Sequence, residues 1–114
     1  MPLTAQSKED IAIYAGSLGS WISLHTADPG SSGANEASGG TYARKQTTWA
    51  GGPVDGTIAG SAVTIPVPAG TFAWAGIWSA QTGTTRFVGS IPIASTQLGA
   101  PGEIVVTPTV NVAG

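Results

Sequence analysis

Through most of the chain after Trp21, apolar residues alternate with polar ones in short runs, and glycine or proline stops each run after about ten residues. A chain interrupted that often cannot build a series of long helices, so its main elements should be strands joined by turns. Side chains alternate across a strand, which sends Trp21, Ser23 and His25 one way and Ile22 and Leu24 the other. Strands are expected at about 20–25, 42–49, 58–67, 71–79, 85–93 and 103–112. Val63, Ile65 and Val67 mark the third, and Pro66 and Pro68 favour an edge position for its end. In the fourth, Phe72, Trp74, Gly76 and Trp78 form one face and Ala73, Ala75 and Ile77 the other, with both faces read as buried. Thr82-Gly83-Thr84 is the expected hairpin turn into the fifth. About six strands at this spacing match a mainly β fold, an antiparallel β-sandwich or small barrel, rather than βαβ units.

One short N-terminal α-helix breaks the pattern. Ile11, Ala15 and Leu18 recur at helical spacing and form an apolar stripe, with Ser7 as the expected cap and Glu9 and Asp10 in the first turn. The helix is expected at about 7–17, ended by Gly16 or Gly19, and it should pack on the sheet or on another subunit. With no linker or internal repeat evident, residues 1–114 read as a single β-rich domain.

Charge excludes several functions. Only 9% of residues are charged, against roughly 25% in an ordinary soluble domain. Lys8, Arg44, Lys45 and Arg86 cannot form a patch that neutralises a run of phosphates, and the net charge is −2, so nucleic acid is not an expected partner. The absence of cysteine removes disulfides and thiol chemistry, and with a single histidine a zinc site would have to be built almost wholly from carboxylates; no cofactor is expected. No basic and apolar leader and no long apolar run occur, so the chain reads as a soluble protein made without a signal peptide and not partnered with a membrane. A neutral surface promotes association, and the protein is expected to act inside an assembly, as a homo-oligomer.

The segment 26–40 is dense in turn formers, with Asp28-Pro29-Gly30 suited to a tight turn, and a loop of that length is usually functional or disordered. His25, Asp28 and Glu36 lie at its mouth. An acid–base pair or a cation site could be composed from them, but turn chemistry favours Asp28 as a cap and His25 as a brace of the loop backbone. Tyr42 and Arg44 begin the next strand, where Arg44 and Lys45 face opposite sides and each suits a single salt bridge or interface contact. These five, His25, Asp28, Glu36, Tyr42 and Arg44, are the candidates for bracing the loop or meeting a partner. No catalytic and no metal-binding residues are assigned, because no carboxylate pair, nucleophile elbow or phosphate loop has the necessary spacing.

Trp21, Trp49, Trp74 and Trp78 are many for so neutral a chain. Aromatics of this size dominate cores and interfaces, so Trp74 and Trp78 are expected to fill the sandwich while Trp21 and Trp49 cover its end or a subunit contact; stacking on sugar rings is the other use.

Several strings then act together. Trp21-Ile-Ser-Leu-His-Thr-Ala-Asp-Pro-Gly30, Gly33-Ala-Asn-Glu36, Gly39-Gly-Thr-Tyr-Ala-Arg44 and Gly76-Ile-Trp-Ser-Ala-Gln-Thr-Gly83 resemble small structural proteins of tailed bacteriophages, especially of actinobacterial hosts, that are described as tail-fibre or minor tail proteins. The resemblance implies a non-enzymatic virion protein, assembled in the host cytoplasm and partnered with the major capsid protein or other virion proteins. The first expectation is capsid decoration, stabilising the head from outside. The alternative is a minor tail or tail-fibre module for host adsorption, with glycan binding through exposed tryptophan as one means.

Overall fold

The structure, a computed structural model, describes residues 2–50, 52–83 and 86–112. Helix α1 (Ala5–Leu18) precedes β1 (Trp21–His25), β2 (Lys45–Gln46), β3 (Trp49–Ala50), β4 (Thr57–Gly60), β5 (Val63–Val67), β6 (Gly70–Trp78), β7 (Phe87–Leu98), β8 (Gly102–Val106) and β9 (Thr109–Asn111). All strand pairs are antiparallel, in a four-stranded sheet ordered β2-β1-β6-β7, a three-stranded sheet β3-β4-β9 and a two-stranded sheet β5-β8.

Alternation along β1 sends Ile22 and Leu24 inward, where they meet Ala75 and Ile77 of β6, Val63, Ile65 and Val67 of β5, and Ile104 and Val106 of β8 in one buried cluster. Each valine, leucine and isoleucine side chain there contributes about 1.5–3 kcal/mol on burial, so this layer between sheets is the main source of stability. The sheets stay open and face one another as a β-sandwich.

Three of the expected strands are each divided. The stretch 42–49 yields only β2 and the start of β3, 58–67 divides into β4 and β5, and 103–112 divides into β8 and β9. All three breaks meet at one corner. Gly60 N–H donates to Pro108 O at 2.8 Å, Ser61 N–H to Thr48 O at 3.0 Å, and buried Thr47 Oγ1 donates to Ser61 O at 2.7 Å. The chain changes sheets there three times, and these bonds replace the interrupted ladders.

β6 also departs from simple alternation. A register shift between Phe72 and Trp74 reverses the facing, so Phe72 joins Ala75 and Ile77 in the core instead of opposing them. Trp74 is therefore half-buried rather than a core filler, while Trp78 is buried on the outer face of the sheet. β7 runs on to Leu98 through Pro92, which an edge strand tolerates. Thr84 of the expected turn and Thr85 at the expected start of this strand lie outside the described residues.

The helix begins earlier than expected. Thr4, not Ser7, is the cap: its Oγ1 accepts Ser7 N–H at 3.1 Å and bonds Ser7 Oγ at 2.9 Å. Its inward stripe is Glu9, Ala12 and Gly16, and Ile11 is 44% exposed. Small residues face the sheet because Ile58 and Trp49 already fill the space: a Cβ on Gly16 would lie 2.7 Å from Ile58 Cδ1 and 3.2 Å from the Trp49 ring. Glu9, buried, accepts the N–H groups of Asp55 and Gly56 at 3.2 and 3.0 Å and ties the 52–56 turn to the helix.

Candidate functional site

The outer face of the large sheet carries the polar cluster. Period two in β1 places Ser23 and His25 on this face, both with no exposed surface, opposite Gly76 and Trp74 of β6. After His25 the chain leaves the sheet and returns beside it, with Ala37 N–H donating to Leu24 O at 2.8 Å, Thr26 N–H to Asn35 O at 3.0 Å, and a single bridge between His25 and Glu36. Within the excursion Asp28 Oδ1 accepts Gly30 N–H at 2.9 Å and Asn35 Nδ2 donates to Asp28 O at 3.1 Å. Gly33, at φ 76°, lies flat against the Trp78 ring, where a Cβ would overlap it.

The directions of the buried bonds are fixed by chemistry. Ala34 O can only accept, so His25 Nδ1 carries the proton and donates to it at 2.8 Å. Trp78 Nε1 can only donate, and it does so to Ser23 Oγ at 2.9 Å. Ser23 must then donate its own proton to His25 Nε2, 2.7 Å away. The relay runs Trp78 to Ser23 to His25 to Ala34, with Phe87 edge-on to both His25 and Trp78 at 6.0 and 5.0 Å between centroids. Burial holds the imidazole below its usual pKa; the Ala34 bond and the Glu36 carboxylate oppose that effect and the Arg44 cation adds to it.

A second network adjoins the first. Arg44, 6% exposed, donates through Nε to Glu36 Oε2 and through Nη2 to Glu36 Oε1, each at 2.8 Å, and through Nη1 and Nη2 to the carbonyls of Ala80 and Gly83 at 3.1 and 3.0 Å. Tyr42 donates its hydroxyl to Glu36 at 2.7 Å and accepts Leu24 N–H at 3.2 Å. Burial would raise the Glu36 pKa, but the bonds from Arg44 and Tyr42 together lower it. Burial and the bond to Glu36 push the Tyr42 phenol well above its ordinary range. Arg44 thus ties the loop to the turn after β6, and beside it lies an open cleft of about 350 Å³ bordered by Glu36, Ser38, Tyr42, Gln81 and Thr82.

Of the residues singled out from sequence, the structure joins His25, Glu36, Tyr42 and Arg44, and leaves exposed Asp28 apart as the cap of its own turn. Trp78 enters the cluster; Trp21, Trp49 and Trp74 do not and are half-buried, Trp49 donating Nε1 to Gly19 O at 2.9 Å. The sequence reading missed Ser23, Gly33, Gly76, Phe87 and the Ala34 carbonyl. Ser23 had a signal, since it stands two residues from His25 on one strand face. The carbonyl and Phe87 had none, because only the fold brings them near.

The Ser23–His25 distance is that of a serine and its general base, but neither residue has solvent contact and the serine oxygen is occupied by the Trp78 N–H. Both side chains spend their hydrogen bonds within the relay. Among the described residues no three of His, Asp and Glu come together as metal ligands, and no helix is long and apolar enough to cross a membrane.

Residues 11–113 match the family model described as podophage GP4 fiber I protein gp80. The chain belongs to this family. The match takes in every strand, the whole braced loop and all but the first six residues of α1. Membership in this fibre family makes the chain a phage structural protein of the virion, in accord with the likeness carried by the strings between Trp21 and Gly83. No curated protein and no solved structure matches the chain.

Proposed function

We propose that this gp80-family chain is a non-enzymatic tail-fibre module that assembles with other virion proteins and presents its Arg44-braced loops at a contact surface. The family match over residues 11–113 carries the reading, and it favours the tail-fibre alternative over capsid decoration, the first expectation from sequence. The site supports it in a second way. Its titratable side chains hold the loop 26–44 and the turn after β6 in place, and a contact surface held rigid in advance loses less entropy on binding. The apolar residues exposed on α1, Ile11, Ile13 and Tyr14, suit burial against neighbouring subunits.

The test is location and copy number on the intact virion, by imaging particles with the protein labelled and quantifying it against the major capsid protein. A few copies confined to the tail support the fibre reading. Hundreds of copies spread over the head overturn it in favour of decoration.

A further inference from the structure

We propose that His25 is an acid-sensitive latch that holds the 26–44 loop closed over the Trp78–Phe87 face of the large sheet. The buried hydrogen bonds are complete only with the neutral imidazole. Nε2 must accept from Ser23, because Ser23 already receives the Trp78 N–H and has no other acceptor for its own proton among the described hydrogen bonds. A proton added at Nε2 makes Ser23 accept from both rings, leaves its own hydroxyl proton without an acceptor and places a cation where no surface is exposed.

The groups around His25 offset that charge only in part. Ser23 faces it from β1, Gly76 from β6, Phe87 from β7 and Ala34 O from the loop, all uncharged. The two charged groups acting on it, Glu36 and Arg44, are bonded to each other and act on the ring in opposite directions, and burial outweighs the favourable one. Hydration of an imidazolium therefore requires the loop to lift. On this face the loop is held by the 34–37 backbone bonds, the Ala34–His25 bond, the Tyr42–Leu24 bond, and Gly33 and Arg44 against Trp78, whereas the β5-β8 layer lies on the opposite face of the sheet. Loop release in acid therefore exposes the Trp78 and Phe87 rings while leaving the core closed.

Amide hydrogen exchange between pH 7.5 and 5, corrected for the intrinsic pH dependence of exchange, tests this on the whole chain. The amides of Thr26 and Ala37 are expected to lose about tenfold or more of their protection, while those of β5 and β8 keep theirs. His25→Gln keeps a donor and an acceptor but does not titrate, and its loop protection is expected to stay level. Should that variant not fold, the wild-type imidazole followed by NMR decides: its protonation should coincide with loop exchange. Unchanged loop protection, equal loss in β5 and β8, a His25→Gln curve matching the wild type, or imidazole protonation without loop exchange overturns the latch.

Discussion

The Arg44 guanidinium lies 3.8 Å from the centroid of the Trp78 ring while it holds Glu36 through two bonds of 2.8 Å. One group thus stacks on the face of an indole whose N–H anchors the Ser23–His25 relay, and the two networks share Trp78. Arg44→Ala leaves Glu36 with Tyr42 as its remaining partner and two carbonyls without their donor. Because Glu36 retains some solvent contact, the expected loss is about 2–4 kcal/mol, at or below the range for a broken buried pair, read as a lower urea midpoint. Arg44→Lys should recover only a minor part, since an ammonium supplies neither the flat stack nor the two-point fork. A lysine variant as stable as wild type would show that charge alone is at work.

At Gly76 the β6 backbone lies directly against Ser23 and His25 of the relay. A Cβ there would lie 2.6 Å from Ser23 Oγ, 2.7 Å from His25 Nε2 and 2.8 Å from Phe87 Cε1. Gly76→Ala should cost about 2–4 kcal/mol, at or above the usual overpacking range because all three neighbours are fixed, and weaken the near-UV circular dichroism of Trp78. Gly89, on the neighbouring strand, has no heavy atom within 4 Å of its added Cβ, so Gly89→Ala is the control and should stay within about 0.5 kcal/mol. Equal effects would mean that backbone freedom, not the close approach, matters at Gly76.

Much of the sheet was legible because β strands announce themselves by alternation. Ile22 and Leu24, and Val63, Ile65 and Val67, lie on the inner face that their spacing assigns. The divisions were harder. Between β4 and β5 the inward positions change from even, at Ile58 and Gly60, to odd, at Val63, a phase break present in the sequence. Between β8 and β9 buried Ile104, Val106 and Pro108 keep one phase, so only the proline hints that the chain changes sheets. In the site, period two paired Ser23 with His25, but the convergence of Arg44 on the Ala80 and Gly83 carbonyls depends on contacts 36 and 39 residues apart, which no local pattern encodes.

The helix inverts the usual rule that the largest apolar residues face inward. Ala12 and Gly16 face the sheet, while Ile13 is 50% and Tyr14 65% exposed. Gly16→Val should lower stability by about 2–3 kcal/mol through collision with Ile58 and Trp49, whereas Ile11→Ser should change it by less than about 0.5 kcal/mol in the isolated protein. Thermal unfolding of both variants checks the pair. If Ile11→Ser proves the more damaging, the expected stripe of Ile11, Ala15 and Leu18 is the packed one after all.

Acid should unfold the protein in two stages. The folded state holds both His25 and Glu36 below their ordinary values of 6.5 and 4.5, so as pH falls the unfolded chain takes up each proton first. Stability is therefore fully present at neutral pH, begins to decline below about 6.5 as His25 is drawn toward its charged form, and declines again below about 4.5 as Glu36 loses its charge. Glu36→Gln starts from a lower value at neutral pH because Arg44 loses its counter-ion, but its second decline should flatten while the first remains. His25→Gln should do the reverse. Denaturant midpoints measured from pH 8 to pH 3 on the three proteins separate the stages, and a Glu36→Gln curve parallel to wild type below pH 4.5 would place the acid sensitivity on other carboxylates.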